Sequence, residues 1–303
     1  MSIAGHGAAT TATVGARAQL TRSWLDRRAL RSLILTSATW AAAVMAAVPL
    51  VSVLYMLVVR GGARLGREVF VELPPAGFEL GGGFGNAVVG TIVMVGLAAL
   101  VAIPLGVLAA VFLAELGPAS SLARVARFAT KTLTGFPSVL AGVFAYAAIV
   151  LTTGTYSAPA GGLALAVLML PTVILTAEEA IKAVPRITRD AAFGMGCTRT
   201  QVVWKVLLPT ALPGILTGVM LGIARAAGET APLLFTALSS SYWLFDGIRP
   251  HLMQPTASLA VLIYNFSGMP FDNQVELAWT ASLVLVLMVL VINVLSRLVG
   301  RRA

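Results

Sequence analysis

Long apolar runs separated by short polar segments dominate the pattern of residues along this chain. About 20 apolar residues in a helix cross the hydrocarbon core of a bilayer, and the chain has six runs near or above that length. They cover residues 33–59, 87–114, 138–153, 162–177, 212–238 and 277–298. The third and fourth runs are short and depend on their flanking residues to complete a span. The pattern therefore predicts an all-α, polytopic membrane protein with about six transmembrane helices.

The basic residues between these runs predict which helix ends face the cytoplasm. Cytoplasmic loops are enriched in Lys and Arg, and sixteen of the 21 basic residues fall in or beside one set of alternating segments. These segments are 1–32, 115–137, 178–210 and 299–303. We therefore expect both termini in the cytoplasm and an even number of spans.

Composition agrees with a membrane protein and argues against several functions. Hydrophobic residues make up 58% of the chain and charged residues 11%, with a mean hydropathy of +0.91, whereas soluble domains carry about 25% charged residues. One cysteine and two histidines argue against disulfides and a metal site. The chain lacks G-x-x-x-x-G-K-[ST], G-x-S-x-G and H-E-x-x-H, so we expect neither an enzyme nor a bound cofactor. The net charge of +9 is dispersed, which favours contact with anionic lipid over nucleic-acid binding.

Two regions divide the chain by composition. Residues 1–32 start with small and polar residues and carry a basic cluster, and we expect a disordered cytoplasmic segment there. Residues 33–303 form the transmembrane domain, with one long cytoplasmic loop at 178–210. A cleaved signal peptide is the alternative for the N-terminal region, but the apolar run of 27 residues exceeds the stretch of about 7–15 in such peptides.

The cytoplasmic loop contains the stretch DAAFGMGCTRTQVVWKVLLP at 190–209. Its residues predict two short helices joined by a left-handed turn at Gly196. Thr198 and Gln201 have the spacing of a capping box, and we expect Pro209 to end the second helix before the fifth span. Such an element offers a surface to a partner protein. The alternative is a helix that rests on the lipid surface.

Arg225 is the one basic residue in the interior of an apolar run, in the fifth predicted span, whereas Arg297 lies at the inner edge of the last run. Placing an arginine at the centre of a bilayer costs about 2.5–3.5 kcal/mol, and intramembrane ionisable residues usually have a function. Glu229 follows at i+4 on the same helix face, so the two side chains can pair. The Thr230 hydroxyl is nearby. The alternative is an ion pair that only fastens two helices together.

The cytoplasmic stretch resembles the EAA motif of ABC importer permeases, E-A-A-x3-G-x9-I-x-L-P. The chain has this motif at the same spacing, with Glu→Asp and Ile→Val as the departures. The resemblance implies a MetI-like permease fold and a coupling surface that inserts into a cleft of a partner ATPase. The residues that it assigns to this surface are Asp190, Ala191, Ala192, Gly196 and Pro209. It also implies that ATP and Mg are bound by the partner ATPase, which explains the missing P-loop.

Four further segments resemble the phosphate branch of this family. They lie at 133–144, 170–185, 222–238 and 277–287, and the block R-A-x-G-E-T-A-P at 225–232 is the most specific of their motifs. The resemblance implies half of a phosphate pathway in a bacterial inner membrane. Its implied partners are a PstC-like second permease, two copies of a PstB-like ATPase and a periplasmic PstS-like phosphate-binding protein. The alternatives are a sulfate or molybdate permease, or a membrane carrier or sensor that works without ATP.

The resemblance also assigns residues to the substrate pathway. A planar guanidinium matches two phosphate oxygens and stays protonated, which makes Arg225 the expected ligand of phosphate. The full set of expected pathway residues is Arg225, Glu229, Thr230, Ser138 and Glu178. Ser138 lies in the sequence GFPS, and the alternative to a pathway role is that this sequence only marks the start of a helix.

The fourth predicted span departs from the family pattern at one position. That pattern is L-P-x-x-x-R-x-x-E, and Leu175 stands where the arginine is expected, whereas Glu178 matches. Either a partner permease supplies the missing cation or the position is dispensable. Without this arginine, the alternative to a pathway role is that Glu178 faces the lipid or the loop.

Overall fold

The computed structural model describes residues 27–246 and 249–300. Its α-helices, in chain order, are α1 (Arg27–Gly62), α2 (Glu68–Val71), α3 (Gly85–Val111), α4 (Ser121–Thr134), α5 (Ser138–Ala145), α6 (Leu151–Thr153), α7 (Ala158–Lys182), α8 (Arg186–Gly194), α9 (Arg199–Val202), α10 (Leu208–Ala227), α11 (Ala231–Thr236), α12 (Leu259–Ser267) and α13 (Asp272–Gly300). Three π-helical segments extend or join them, at Phe112–Leu116, Tyr146–Val150 and Val203–Leu207. Two short antiparallel strands, β1 (Phe245–Asp246) and β2 (Arg249–Pro250), form a hairpin. The chain forms two compact units, Met1–Leu54 and Tyr55–Ala303.

Five helices in the described part of the chain are long and apolar enough to cross a membrane. They are Leu30–Gly62, Gly85–Leu116, Ala158–Lys182, Arg199–Ala227 and Asp272–Leu295. A sixth span results if α4 is counted together with Ser138–Thr153, from which it is bent by 109°. This confirms the predicted all-α membrane protein with about six spans. The fourth predicted span, short in the sequence pattern, is a helix of 25 residues.

The segment predicted to be disordered, residues 1–32, falls largely outside the described residues, which begin at Arg27. Residues 27–32 are helical, so α1 begins before the apolar run does at Leu33. Arginine, alanine and leucine are good helix formers, and the helix therefore extends into the basic cluster.

The helix α7 is the centre of the second unit, because it packs against both α3 and α10. Glycines at positions 214, 218 and 222 recur every four residues on α10 and so line one face of it. A Cβ added at Gly214 would lie 2.7 Å from the Ala180 Cβ, and one at Gly222 would lie 2.9 Å from the Met169 Cγ. The order of these contacts shows that α7 and α10 run antiparallel.

The fifth predicted span, 212–238, is not one helix in the structure. Gly228 is the C-cap of α10, and α11 begins only at Ala231. Pro232 explains the break, because in a continuous helix it would lack an N–H donor and its ring would clash with the Gly228 carbonyl. In the first turn of α11 the same proline is tolerated. Arg225 therefore lies in the last turn of α10 and not in the middle of a continuous helix.

Pro209 does not end the second helix of the loop at 178–210, so that prediction was wrong. The elements α9, Val203–Leu207 and α10 form one continuous helix, Arg199–Ala227. In a regular α-helix the proline ring would clash with the Lys205 carbonyl. The π-helical segment lies directly before the proline, and its wider turn accommodates the ring. The loop at 178–210 is therefore joined to the fifth span without a break.

The C-terminal end of α11 is fixed by hydrogen bonds to neighbouring segments. The Thr236 carbonyl accepts from the Ser157 N–H at 3.0 Å, and the Ala237 carbonyl accepts from the Thr256 N–H at 3.0 Å. All four residues are buried. Leaving a buried backbone group without its partner costs about 1–3 kcal/mol, so these bonds hold α11 firmly in place.

Candidate substrate pathway and coupling surface

Arg225 and Glu229 form an ion pair at the break between α10 and α11. The Arg225 Nε lies 3.5 Å from the Glu229 Oε1, and the two side chains are 41% and 18% exposed. The helix dipole at the C-terminal end of α10 favours a positive charge in its last turn, where Arg225 lies. The site is thus a cation stabilised by a helix end and by one carboxylate.

The Arg225 guanidinium keeps donors for another partner. Within residues 27–246 and 249–300, Glu229 is the only residue that forms an ion pair with it, and the contact is made through Nε. A guanidinium carries five N–H donors, so both Nη atoms are left for a ligand. A partly exposed guanidinium with two free Nη atoms suits an anion that accepts two parallel hydrogen bonds.

Thr230 and Ser138 belong to two helices that pack together beside the break. Thr230 directly precedes α11 and is partly exposed. The helix α5 approaches α11 so closely that a Cβ at Gly142 would lie 2.7 Å from the Pro232 Cα. Ser138 is the first residue of α5 and lies one turn before Gly142 on the same face. In the described part of the chain, no hydrogen bond joins Ser138 to Arg225.

Glu178 lies away from Arg225, close to the C-terminal end of α7. It is 4% exposed, so it faces neither the lipid nor the loop. Thr176 on α7 contacts α10 at Gly218. Because the two helices are antiparallel, Glu178 is level with about position 216 of α10, nine residues before Arg225. At 1.5 Å per residue, the two residues are about 13 Å apart along the helix axis. The structure therefore does not bring Glu178 to the other predicted pathway residues.

Two cations of the same chain are paired with Glu178. Its Oε1 accepts from the Arg127 Nε at 2.8 Å and from the Lys182 Nζ at 2.5 Å. Arg127 belongs to α4, and the sequence pattern did not single it out. Its guanidinium brings a positive charge of the same chain to Glu178, whereas the two explanations for the arginine missing at Leu175 stay predictions.

The loop at 178–210 has the predicted two helices around a left-handed glycine. Gly196 lies between α8 and α9 with a φ of +83°. The Thr198 Oγ1 accepts from the Gln201 N–H at 3.4 Å, and the Thr198 N–H donates to the Gln201 Oε1 at 2.8 Å. These two bonds form the predicted capping box.

One residue of the predicted coupling surface is not on the surface. Ala192 is 2% exposed and belongs to the same buried cluster as Val202 and Val203. The helix α8 is amphipathic and turns this face inward, so the assignment of Ala192 to the coupling surface was wrong. The exposed members of the predicted set are Asp190, Ala191, Gly196 and Pro209.

Large apolar side chains, which the sequence reasoning did not assign, are exposed on the same loop. Ile187 and Met195 are each 77% exposed, and Phe193 is 48% exposed. Exposed apolar residues grouped within a polar surface are typical of a protein-binding site. The sequence could have indicated this surface, because these large apolar residues are placed among charged ones in the predicted loop at 178–210.

The described residues define a polytopic membrane protein, with helices of spanning length, a cation at a broken helix and a short helix, α8, before the fifth span. The chain belongs to the family of binding-protein-dependent transport system inner membrane components, whose model matches residues 102–303.

Curated relatives match most of the chain. A protein of Pasteurella multocida (strain Pm70) is 39% identical over 246 residues, which cover 81% of this chain and 86% of the relative. A protein of Yersinia pestis is 39% identical over 250 residues, which cover 82% and 83%. Both are named phosphate transport system permease protein PstA.

Solved structures of ABC transporters share the fold. A chain of a bacterial alginate ABC transporter matches with a TM-score of 0.63 and 15% identity, over 92% of this chain and 98% of that one. A chain of the inward-facing MetNI methionine ABC transporter matches with a TM-score of 0.57 and 21% identity, over 72% and 92%. At these identities the likeness concerns the fold alone.

Proposed function

We propose that this chain is the permease subunit of an ATP-driven phosphate importer and forms half of its translocation pathway. The Arg225–Glu229 pair carries the proposal, because it places a partly exposed cation at the end of a membrane-spanning helix. The similarity to PstA proteins supports phosphate as the substrate.

The chemistry of the pair fits a phosphate ion in a membrane. An anion that leaves water needs fixed donors and positive charge in its place, and a guanidinium offers both. Glu229 neutralises Arg225 when phosphate is absent, and the 3.5 Å contact through Nε leaves both Nη atoms for the anion. The Thr230 hydroxyl adds a donor across the break, and Ser138 lies on the helix that packs against α11.

In this proposal the loop at 190–209 couples the phosphate site to ATP hydrolysis. A single helix, Arg199–Ala227, extends from the loop to Arg225, so a displacement of the loop reaches the cation directly. The proposed partners are a PstC-like second permease, two copies of a PstB-like ATPase that bind ATP and Mg, and a periplasmic PstS-like phosphate-binding protein. The chain would cross the inner membrane with both termini in the cytoplasm.

The experiment is phosphate uptake by the complete importer in vesicles, with ATP on the side of the ATPase. We expect Arg225→Gln to abolish uptake, because no other described residue at the break offers a cation, while the ATPase still co-purifies. Arg124→Gln is the matched control, since Arg124 is exposed and lies on α4, away from this pair. Normal phosphate uptake in Arg225→Gln would contradict the proposal. If the wild-type importer took up sulfate or molybdate in preference to phosphate, the proposed substrate would be wrong.

A further inference from the structure

Five charged residues lie where the ends of α3, α4, α7 and α8 meet, and the proposed phosphate site uses none of them. We call them the loop-side cluster. It consists of Glu115, Arg127, Glu178, Lys182 and Arg189. Charged groups in or beside an apolar bundle need compensating partners, and each of these residues has one within the cluster.

Arg189 connects α8 to the ends of two membrane-spanning helices. Its Nη1 lies 2.7 Å from the Oε1 of Glu115, which belongs to the π-helical segment Phe112–Leu116 at the end of α3. Its Nη2 donates to the Ile181 carbonyl at 2.7 Å, in the last turn of α7. The side chains of Arg189 and Glu115 are 19% and 16% exposed, so salt screens this pair less than a surface pair.

Arg127 contacts the same π-helical segment from α4. Its Nη2 donates to the Leu113 carbonyl at 2.6 Å, and its Nη1 donates to the Pro118 carbonyl at 2.9 Å. Its Nε binds Glu178 on α7. The two arginines therefore link the end of α3 to both α7 and α8. Segments of π-helix are rare and are frequently found at functional sites.

We propose that Arg189 is a positioning residue that transmits the displacement of α8 to α3 through Glu115. The inference rests on the proposed function, because it requires an ATPase that displaces α8. Without this pair, α8 keeps its backbone connections to α7 and α9, but it loses its charged contact with α3. The Arg189 Nε and the Glu115 Oε1 have no hydrogen-bond partner in the described part of the chain. The 2.7 Å ion pair is therefore the contact that joins Glu115 to Arg189, and a displacement of α8 would act on the end of α3 through it.

The test is the number of phosphate ions imported per ATP hydrolysed by the complete importer in vesicles. We expect Arg189→Gln and Glu115→Gln each to lower this ratio about tenfold, a size usual for coupling between distant sites. ATP hydrolysis and retention of the ATPase should stay at the wild-type level. The exchanged pair, Arg189→Glu with Glu115→Arg, should restore the ratio. Arg186→Gln is the matched control, because Arg186 is an exposed residue of the same helix.

Three outcomes would overturn the inference. The first is a wild-type ratio in Arg189→Gln, and the second is an exchanged pair that assembles but stays uncoupled. The third is loss of the ATPase from both glutamine variants, because the pair would then serve assembly and not transmission. Failure of the proposed function is distinguishable from all three, since it would appear as absence of phosphate uptake in the wild-type importer.

Discussion

Arg127 on α4 and Glu178 on α7 lie 51 positions apart in the sequence, and their side chains pair at 2.8 Å. The carboxylate is 4% exposed, whereas the arginine side chain is 26% exposed. The helix α4 is thus fastened to the central helix α7 by a charge close to the C-terminal end of α7. Leu175 lies three residues before Glu178, on the same face of α7. This geometry allows the pairing to be tested by moving the cation from one helix to the other.

We expect Arg127→Gln to lower the free energy of unfolding by about 1–3 kcal/mol, because Glu178 is buried but keeps Lys182 as a partner. Adding Leu175→Arg should recover most of the loss, since an arginine there can reach the carboxylate within one turn of helix. Thermal unfolding of the purified subunit in detergent measures both effects. Leu175→Arg alone is the control. If the double variant were no more stable than Arg127→Gln, the expected contact between position 175 and Glu178 would be wrong.

The close contact between α7 and α10 predicts a strong effect at Gly218. A Cβ at this position would collide with the Thr176 side chain. We expect Gly218→Val to lower the free energy of unfolding by about 1–3 kcal/mol, as overpacking does in close-packed interiors. Gly96→Val is the matched control on α3, because nothing lies within 4 Å of a Cβ there. Equal stability of the two variants would contradict the described packing.

The left-handed turn in the loop at 178–210 predicts opposite effects for two glycines, Gly194 and Gly196. Gly196 has a φ of +83°, a conformation that costs an L-residue about 1–2 kcal/mol. Gly196→Ala should therefore weaken retention of the ATPase and lower the unfolding temperature. Gly194 lies in α8 with open space around it, so Gly194→Ala should stabilise the loop by up to about 1 kcal/mol. Destabilisation by Gly194→Ala, with no effect of Gly196→Ala, would show that the turn lies elsewhere.

The exposed apolar side chains of the loop predict where an ATPase subunit binds. Truncating or charging an apolar anchor at an interface commonly costs more than 1 kcal/mol. We expect Met195→Asp and Ile187→Asp each to weaken binding of the ATPase about tenfold, which corresponds to about 1.4 kcal/mol. Thr200→Asp adds the same charge at an exposed position of α9 and serves as the control. Titration of the purified ATPase against the permease in detergent measures the three affinities, and equal affinities would exclude an apolar anchor here.

Features that depend on neighbouring residues in the chain were predictable from the sequence. The capping box of Thr198 and Gln201 requires only a hydroxyl and an amide at the correct spacing, and the turn at Gly196 requires only a residue without a side chain. The apolar runs predicted the spans, because the number of residues that a helix needs to cross a bilayer is fixed.

Two prolines show where local rules were insufficient. Pro232 coincides with a break in the helix, whereas Pro209 lies within a continuous one. A π-helical turn precedes Pro209, and no residue pattern used in the sequence reasoning specifies such a turn. Pro49, Pro104, Pro171 and Pro213 also lie inside helices, so a proline in an apolar run does not by itself indicate a break.

Pairing between distant helices was equally beyond local rules. The face of α4 that contains Arg127 also contains Ala123 and Thr130, at positions i, i+4 and i+7, and both of these are buried. This spacing could have indicated that Arg127 points inward. The partner could not be identified, because Glu178 is brought to it only by the packing of α4 against α7.

The break between α10 and α11 separates two donors that belong to differently attached parts of the molecule. Arg225 is at the end of a helix that is continuous with the loop at 178–210, whereas Thr230 directly precedes α11, which is held by buried backbone hydrogen bonds. A rotation of α10 about its own axis would swing the guanidinium and leave the hydroxyl in place. An ion bound by both groups would be held at some angles of rotation and released at others. The affinity of the site would then be set by the orientation of one helix, without a separate gate.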